Sequence, residues 1–144
     1  MSAEEIKKTI RSIHEALNKG DVDKAVSFLA EDAVEIAPEG TFKGKNEIKR
    51  YFTWLLKQYT KLTLTETDLI VEGNKAAHVY VIEGTTAKSR GSIPCMSMLE
   101  FKNGKVQNIS SYSDRLSIAK QMARGVIQTT AVNAIVNRME KGLH

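Results

Sequence analysis

From Glu4 to Asn18 the apolar residues Ile6, Ile10, Ile13 and Leu17 return every three or four positions, a spacing that gathers them on one stripe of a helix. Lys19-Gly20-Asp21 follows, with a glycine to end that helix and an aspartate to cap the next. The second helix is short, about 22–29, with Val22, Ala25, Val26 and Leu29 inward, and stops before Glu31-Asp32. Val34-Glu35-Ile36-Ala37 reads as a brief strand halted by Pro38, and Glu39-Gly40 turns the chain into Thr41-Phe42-Lys43-Gly44. Asn46 is placed to cap a third helix that carries Ile48, Tyr51, Phe52, Leu55 and Leu56, with Trp54 and Tyr59 on neighbouring faces.

Beyond this helix the period changes to two. The runs 62–71, 75–86, 93–102 and 105–114 are rich in β-formers, and Glu72-Gly73-Asn74 and Asn103-Gly104 are hairpin signals between them. They predict an antiparallel meander, with a longer loop over 86–92 that contains Lys88-Ser89-Arg90-Gly91. A helix over 115–124, a break at Gly125 and an amphipathic run over 126–141 close the chain. Helices first and sheet afterwards is an α+β order.

Composition narrows the class. A chain of 144 residues, 42% apolar and 26% charged, fits one globular domain with one core. No stretch reaches the roughly 18 apolar residues of a membrane span. The start, Met1-Ser2-Ala3-Glu4-Glu5, has no apolar segment behind a basic flank, so a cytoplasmic location is expected. The net charge of +4 is spread among acids, and only Lys43, Lys45, Lys49 and Arg50 cluster, so a solvated face is expected rather than nucleic-acid binding. Cys95 is the single cysteine and can form no internal disulfide. His14, His78 and His144 fall on a helix surface, a strand and the terminus, with no metal-ligand spacing, and nothing calls for a cofactor.

Three segments carry a family resemblance: Ala16-Leu17-Asn18-Lys19-Gly20-Asp21 with Phe28-Leu29-Ala30-Glu31-Asp32-Ala33-Val34, Gly40-Thr41-Phe42-Lys43-Gly44-Lys45-Asn46-Glu47-Ile48, and Gly104-Lys105-Val106 with Tyr112-Ser113-Asp114. In order and spacing they resemble the first two helices, the lead-in to the third helix and the last strand of the SnoaL-like, nuclear transport factor two-like group. The resemblance implies a cystatin-like cone, a strongly curved antiparallel or mixed sheet with N-terminal helices over its concave face, and an apolar pocket between them. It also implies a homodimer. Single-domain organisation over 1–144 is expected, with the family core over about 4–122 and a C-terminal helical extension over 123–144.

The family hosts isomerases, cyclases, dehydratases, epoxide hydrolases and binding modules, so residues must choose. The run Ile93-Pro94-Cys95-Met96-Ser97-Met98-Leu99-Glu100-Phe101 is similar to a strand of limonene epoxide hydrolases. Their carboxylate set, however, falls here on His78-Val79-Tyr80 and Ser111. The steroid-isomerase set falls on Ala37, Ile13 and Ser97, which cannot do that chemistry. Polyketide cyclases of the group use a histidine and an aspartate, and this chain offers His78 and Asp114.

Alternation places His78, Tyr80 and Ile82 on one strand face, where a histidine and a phenol can meet a ligand. His78, Tyr80 and Asp114 are therefore the candidate catalytic residues, although Asp114 stands where the N-cap of the helix at Arg115 belongs and capping is its favoured role. Tyr51, Trp54, Tyr59, Cys95, Ser97, Ile109 and Ser111 are the candidate ligand contacts. Met96 and Met98 are expected as core filler. The expected function is binding of a small apolar molecule, the alternative being a cofactor-free isomerase, cyclase or hydrolase. The apolar stripe Val126, Ile127, Thr130, Ala131, Ala134, Ile135 and Met139 is expected to cover the pocket as a lid or, the plainer reading, to pack across a dimer partner.

Overall fold

The computed structural model describes residues 1–86 and 90–143. Ser2 and Glu5 start α1 (Ala3–Asn18) with a reciprocal pair: Ser2 Oγ accepts from the Glu5 N–H, and the Glu5 carboxylate accepts from the Ser2 N–H at 2.6 Å. Two backbone donors that the first turn cannot pair are thereby satisfied. Ile6, Ile10, Ile13, Ala16 and Leu17 form its buried stripe. At its end, the Asn18 side-chain amide donates to Leu64 O at 3.0 Å and accepts from the Leu64 N–H at 2.6 Å.

α2 (Val22–Ser27), capped by Asp21, ends earlier than its apolar spacing predicts, and β1 (Leu29–Ala37) takes over Leu29, Glu31 and Asp32. The cause is non-local. Leu29 pairs with Val106, and Val34, Glu35 and Ile36 pair in parallel with β6 (Lys105–Ser113), a partner far downstream that local periodicity cannot show. β2 (Gly40–Lys43) folds back on β1. α3 (Lys45–Lys57) is capped by Gly44 rather than Asn46. Gly44 holds φ at +85°, a backbone conformation in which a Cβ is costly. The Glu47 carboxylate accepts the Lys43 N–H at 2.7 Å just ahead of the helix, leaving Asn46 inside the first turn.

β3 (Lys61–Glu72), β4 (Lys75–Thr85), β5 (Arg90–Lys102) and β6 form the predicted antiparallel meander. Asn103 and Gly104 both take positive φ, as a tight hairpin turn requires. The loop expected over 86–92 contracts, because Arg90, Gly91 and Ser92 pair with Thr85, Gly84 and Glu83. Its remaining residues Ala87, Lys88 and Ser89 lie outside the described residues.

The strand order β2-β1-β6-β5-β4-β3 makes one mixed, curved and unclosed sheet in an α+β cone. α1 packs against β3 and α3 against β1, so the helices roof the concave face from its two ends. On β5, Ile93, Cys95, Ser97, Leu99 and Phe101 turn into the core. Met96 and Met98, expected as core filler, point out on the convex side instead. α4 (Arg115–Met122) and α5 (Val126–Met139) follow, and Gly125 caps α5. Among the described residues no helix is long and apolar enough to cross a membrane.

Candidate functional site

The roof does not seal the concave face. A cavity of about 130 Å³ remains between α1, α3 and the sheet, and its walls are Ile10, Ile13, Leu17, Phe52, Leu55, Leu64, Ile93, Leu99 and Ile109 with a few polar groups among them. That volume is comparable with the roughly 150 Å³ apolar cavity that accepts benzene. Tyr59, Pro38, Glu39 and Ile118 also line it. Tyr59 crosses the sheet at Gly84, where an added Cβ would come within 2.4 Å of its ring, so the glycine is what admits the tyrosine.

One wall carries a chain of hydrogen bonds. Tyr80 Oη lies 3.0 Å from Ser97 Oγ, Ser97 Oγ 2.9 Å from Ser111 Oγ, and Ser111 Oγ donates to Glu35 Oε1 at 3.3 Å. Strand register builds it, since Ser97 faces Ser111 across β5 and β6 and Glu35 faces Ile109 across β1 and β6. A hydroxyl has one proton to give. Because Ser111 gives its proton to Glu35, it must accept from Ser97, and Ser97 must accept from Tyr80. The chain therefore runs one way and ends at Glu35.

Glu35 is 3% exposed, and its Oε2 has no hydrogen-bond partner among the described residues. Burial pushes its carboxyl up to about 8, with the Ser111 hydrogen bond pulling the other way and the Glu39 charge adding to the rise. Glu39 itself accepts from Tyr51 Oη at 2.9 Å and from Arg115 Nη1 at 2.9 Å, which ties β1, α3 and α4 together at the cavity edge. Burial and the neighbouring Glu39 raise the Tyr51 phenol, and burial raises that of Tyr80.

His78 is 1% exposed and lines the cavity beside Tyr80, so both point the way alternation predicts. Its ring lies 4.3 Å from that of His14, whose ring stands edge-on to Tyr80 at 4.7 Å. His78 Nε2 sits 3.2 Å from Glu66 Oε2, out of line for a hydrogen bond, and Glu66 is held by Arg11 at 2.8 Å. Burial lowers His78 despite Glu66, and burial with the His78 charge lowers His14 to about 3. Both imidazoles are neutral at neutral pH.

The other expected residues divide. Tyr51, Tyr59, Cys95, Ser97, Ile109 and Ser111 all line the cavity. Burial raises the Cys95 thiol to about 11, far from a reactive thiolate. Trp54 does not reach the cavity: it is 47% exposed, one position round α3 from the Tyr51–Leu55 face. Asp114 is also a correction. Its Oδ1 accepts the Ser117 N–H at 2.9 Å as the cap of α4, it is exposed, and it lies outside the cavity wall.

Two residues were missed. His14 is not on an outer helix surface but on the inward stripe, one turn from Ile10 and three residues from Leu17, and that spacing was its signal. Glu35 was hidden by an inverted pattern, in which Ala33, Glu35 and Ala37 face inward while Ile36 is 51% exposed. Among the described residues no group of three or more His, Cys, Asp or Glu is arranged to hold a metal ion.

The family model for the SnoaL-like domain matches residues 10–109. No curated protein matches the chain by sequence. Solved structures share the fold. A loop-truncation variant of IdmH is 22% identical with a TM-score of 0.72, over 81% of this chain and 98% of that one. An NTF2-like protein of unknown function from Burkholderia pseudomallei is 18% identical with a TM-score of 0.75, over 86% and 100%. A putative polyketide cyclase from Sinorhizobium meliloti is 18% identical with a TM-score of 0.64, over 73% and 94%.

Proposed function

The chain belongs to the SnoaL-like family, and from that premise and its cavity we propose that it binds a small apolar molecule, about one ring in its buried part, between the roof helices and the sheet. The observation that carries this reading is the cavity of about 130 Å³, mostly apolar, with its polar groups set mainly in the Glu35–Tyr80 chain, the histidine pair and the Glu39–Tyr51 pair at its edge. Concave apolar sites with a few placed polar groups are the usual form of ligand pockets. Mass spectrometry of small molecules carried through purification tests it. Wild type should retain an apolar compound that Leu55→Trp, which narrows the cavity from α3, loses. Equal recovery from both proteins, or from neither, counts against the reading.

The second reading is a cofactor-free isomerase, cyclase or hydrolase. It is favoured by His78 and Tyr80 lining one cavity, and the likeness to a putative polyketide cyclase belongs with it. It ranks second because burial lowers His78 and raises Tyr80, so at neutral pH His78 does not readily take a proton nor Tyr80 give one.

A homodimer completes the proposal. No residue of α5 lines the cavity among the described residues, which speaks against a lid. Val126 and Ile127 are 83% and 85% exposed, apolar surface that a second copy would cover. Sedimentation velocity of a chain cut after Arg124 should show the dimer lost. An unchanged dimer would move the interface elsewhere, the convex patch of Met96, Met98 and Tyr112 being next.

A further inference from the structure

Resting on the binding reading above, we propose that Glu35 is the residue that recognises the ligand's polar atom, giving a hydrogen bond from Oε2 to a carbonyl oxygen of an uncharged, ring-sized compound. Three observations carry this. Oε2 is buried at the cavity wall with no partner among the described residues, and a buried polar atom left unpaired costs about 1–3 kcal/mol. The chain from Tyr80 through Ser97 ends with Ser111 donating to Oε1, so a Glu35 kept protonated by burial holds its proton on Oε2. Among the described residues no lysine or arginine lines the cavity, so an anionic ligand would meet no opposite charge from them.

The direction of that bond selects the ligand. A carboxylic acid donates and a carbonyl accepts, whereas an amine would need Glu35 ionised. The titratable groups that line the cavity with Glu35 are Glu39 in the β1–β2 turn, Tyr51 on α3, Tyr59 just beyond it, Tyr80 and His78 on β4, Cys95 on β5, Tyr112 on β6 and His14 on α1, while Arg115 reaches Glu39. Burial holds Tyr51, Tyr59, Tyr80 and Cys95 protonated through pH 9 and both histidines neutral above pH 6.5. A change in binding between pH 6.5 and 9 that Glu35→Gln abolishes therefore reports Glu35.

The test is ligand-observed NMR on the full chain with three one-ring probes of similar size: acetophenone, ethylbenzene and 1-phenylethylamine. Acetophenone should bind more tightly than ethylbenzene at pH 6.5 and weaken about tenfold by pH 9, as a carboxyl near 8 loses its proton. Glu35→Gln, whose amide also donates, should keep acetophenone binding and lose its pH dependence. Glu35→Leu should bind ethylbenzene but no longer prefer acetophenone. Acetophenone binding no tighter than ethylbenzene binding, or unchanged from pH 6.5 to 9, overturns the assignment while leaving the apolar pocket intact. 1-Phenylethylamine binding that is already tighter than acetophenone binding at pH 6.5 overturns it in favour of an ionised Glu35. Failure of all three probes overturns the binding reading and this proposal with it.

Discussion

The unfolding free energy of this protein will fall as pH rises from 6.5 to 9. On the alkaline side the cause is Glu35, raised from 4.5 to about 8 by burial. Between pH 6.5 and 8 the folded chain still holds that proton and the unfolded chain has released it, so stability present at lower pH is lost as pH rises through the folded value. The slope is about 1 kcal/mol per pH unit, or roughly 2 kcal/mol over the limb.

On the acid side the sign reverses. His14, lowered from 6.5 to about 3, and His78, lowered in the same direction, bind protons first in the unfolded chain, so their contribution to stability drops as pH falls below 6.5. Between pH 4.5 and 6.5 Glu35 and the histidines pull in opposite directions, so the wild-type curve is flatter there than on the alkaline limb. Urea unfolding at pH 5, 6.5, 8 and 9 checks this, and Glu35→Gln should remove the alkaline fall and leave the histidines unopposed below pH 6.5. A wild-type midpoint that holds steady or climbs from pH 6.5 to 8.5 would show that Glu35 is ionised in the fold.

Ile48→Ala should cost about 3 kcal/mol. Ile48 is fully buried on the face of α3 that presses on β1 and α2, yet it does not line the cavity. Removing its outer carbons leaves a void between packed elements, and the loss combines transfer and cavity terms. The urea midpoint should fall with the slope of the transition preserved. Lys8→Ala on α1 is the control, since that side chain is exposed and its truncation should stay within about 0.5 kcal/mol. Comparable losses in the two variants would mean that burial of Ile48 does not set the cost.

Legibility in the sequence followed the range of the forces involved. The meander was readable because its hairpins close locally and its side chains alternate, and that alternation placed His78, Tyr80, Ser97 and Ser111 on the inner face. β1 was readable only in its second half, because its first half joins the sheet through Leu29 alone, paired with Val106 ahead of a register shift. Glu35 was illegible for a related reason. A charged residue between Val34 and Ile36 signals an outward carboxylate, and only the pairing of β1 with β6 turns it into the cavity and leaves Ile36 outside. Asp114 was assigned from the family resemblance and Trp54 from its place on the third helix. A cap and an outward helix face claimed them.

β3 is the last strand of the sheet, and an unpaired strand is a template on which another chain can add. Leu64 presents its free N–H and C=O there, and the Asn18 amide occupies both, standing where the peptide of a seventh strand would lie. The tether that fixes the end of α1 therefore also acts as a stopper, and it guards this chain against growing edge to edge into larger sheets.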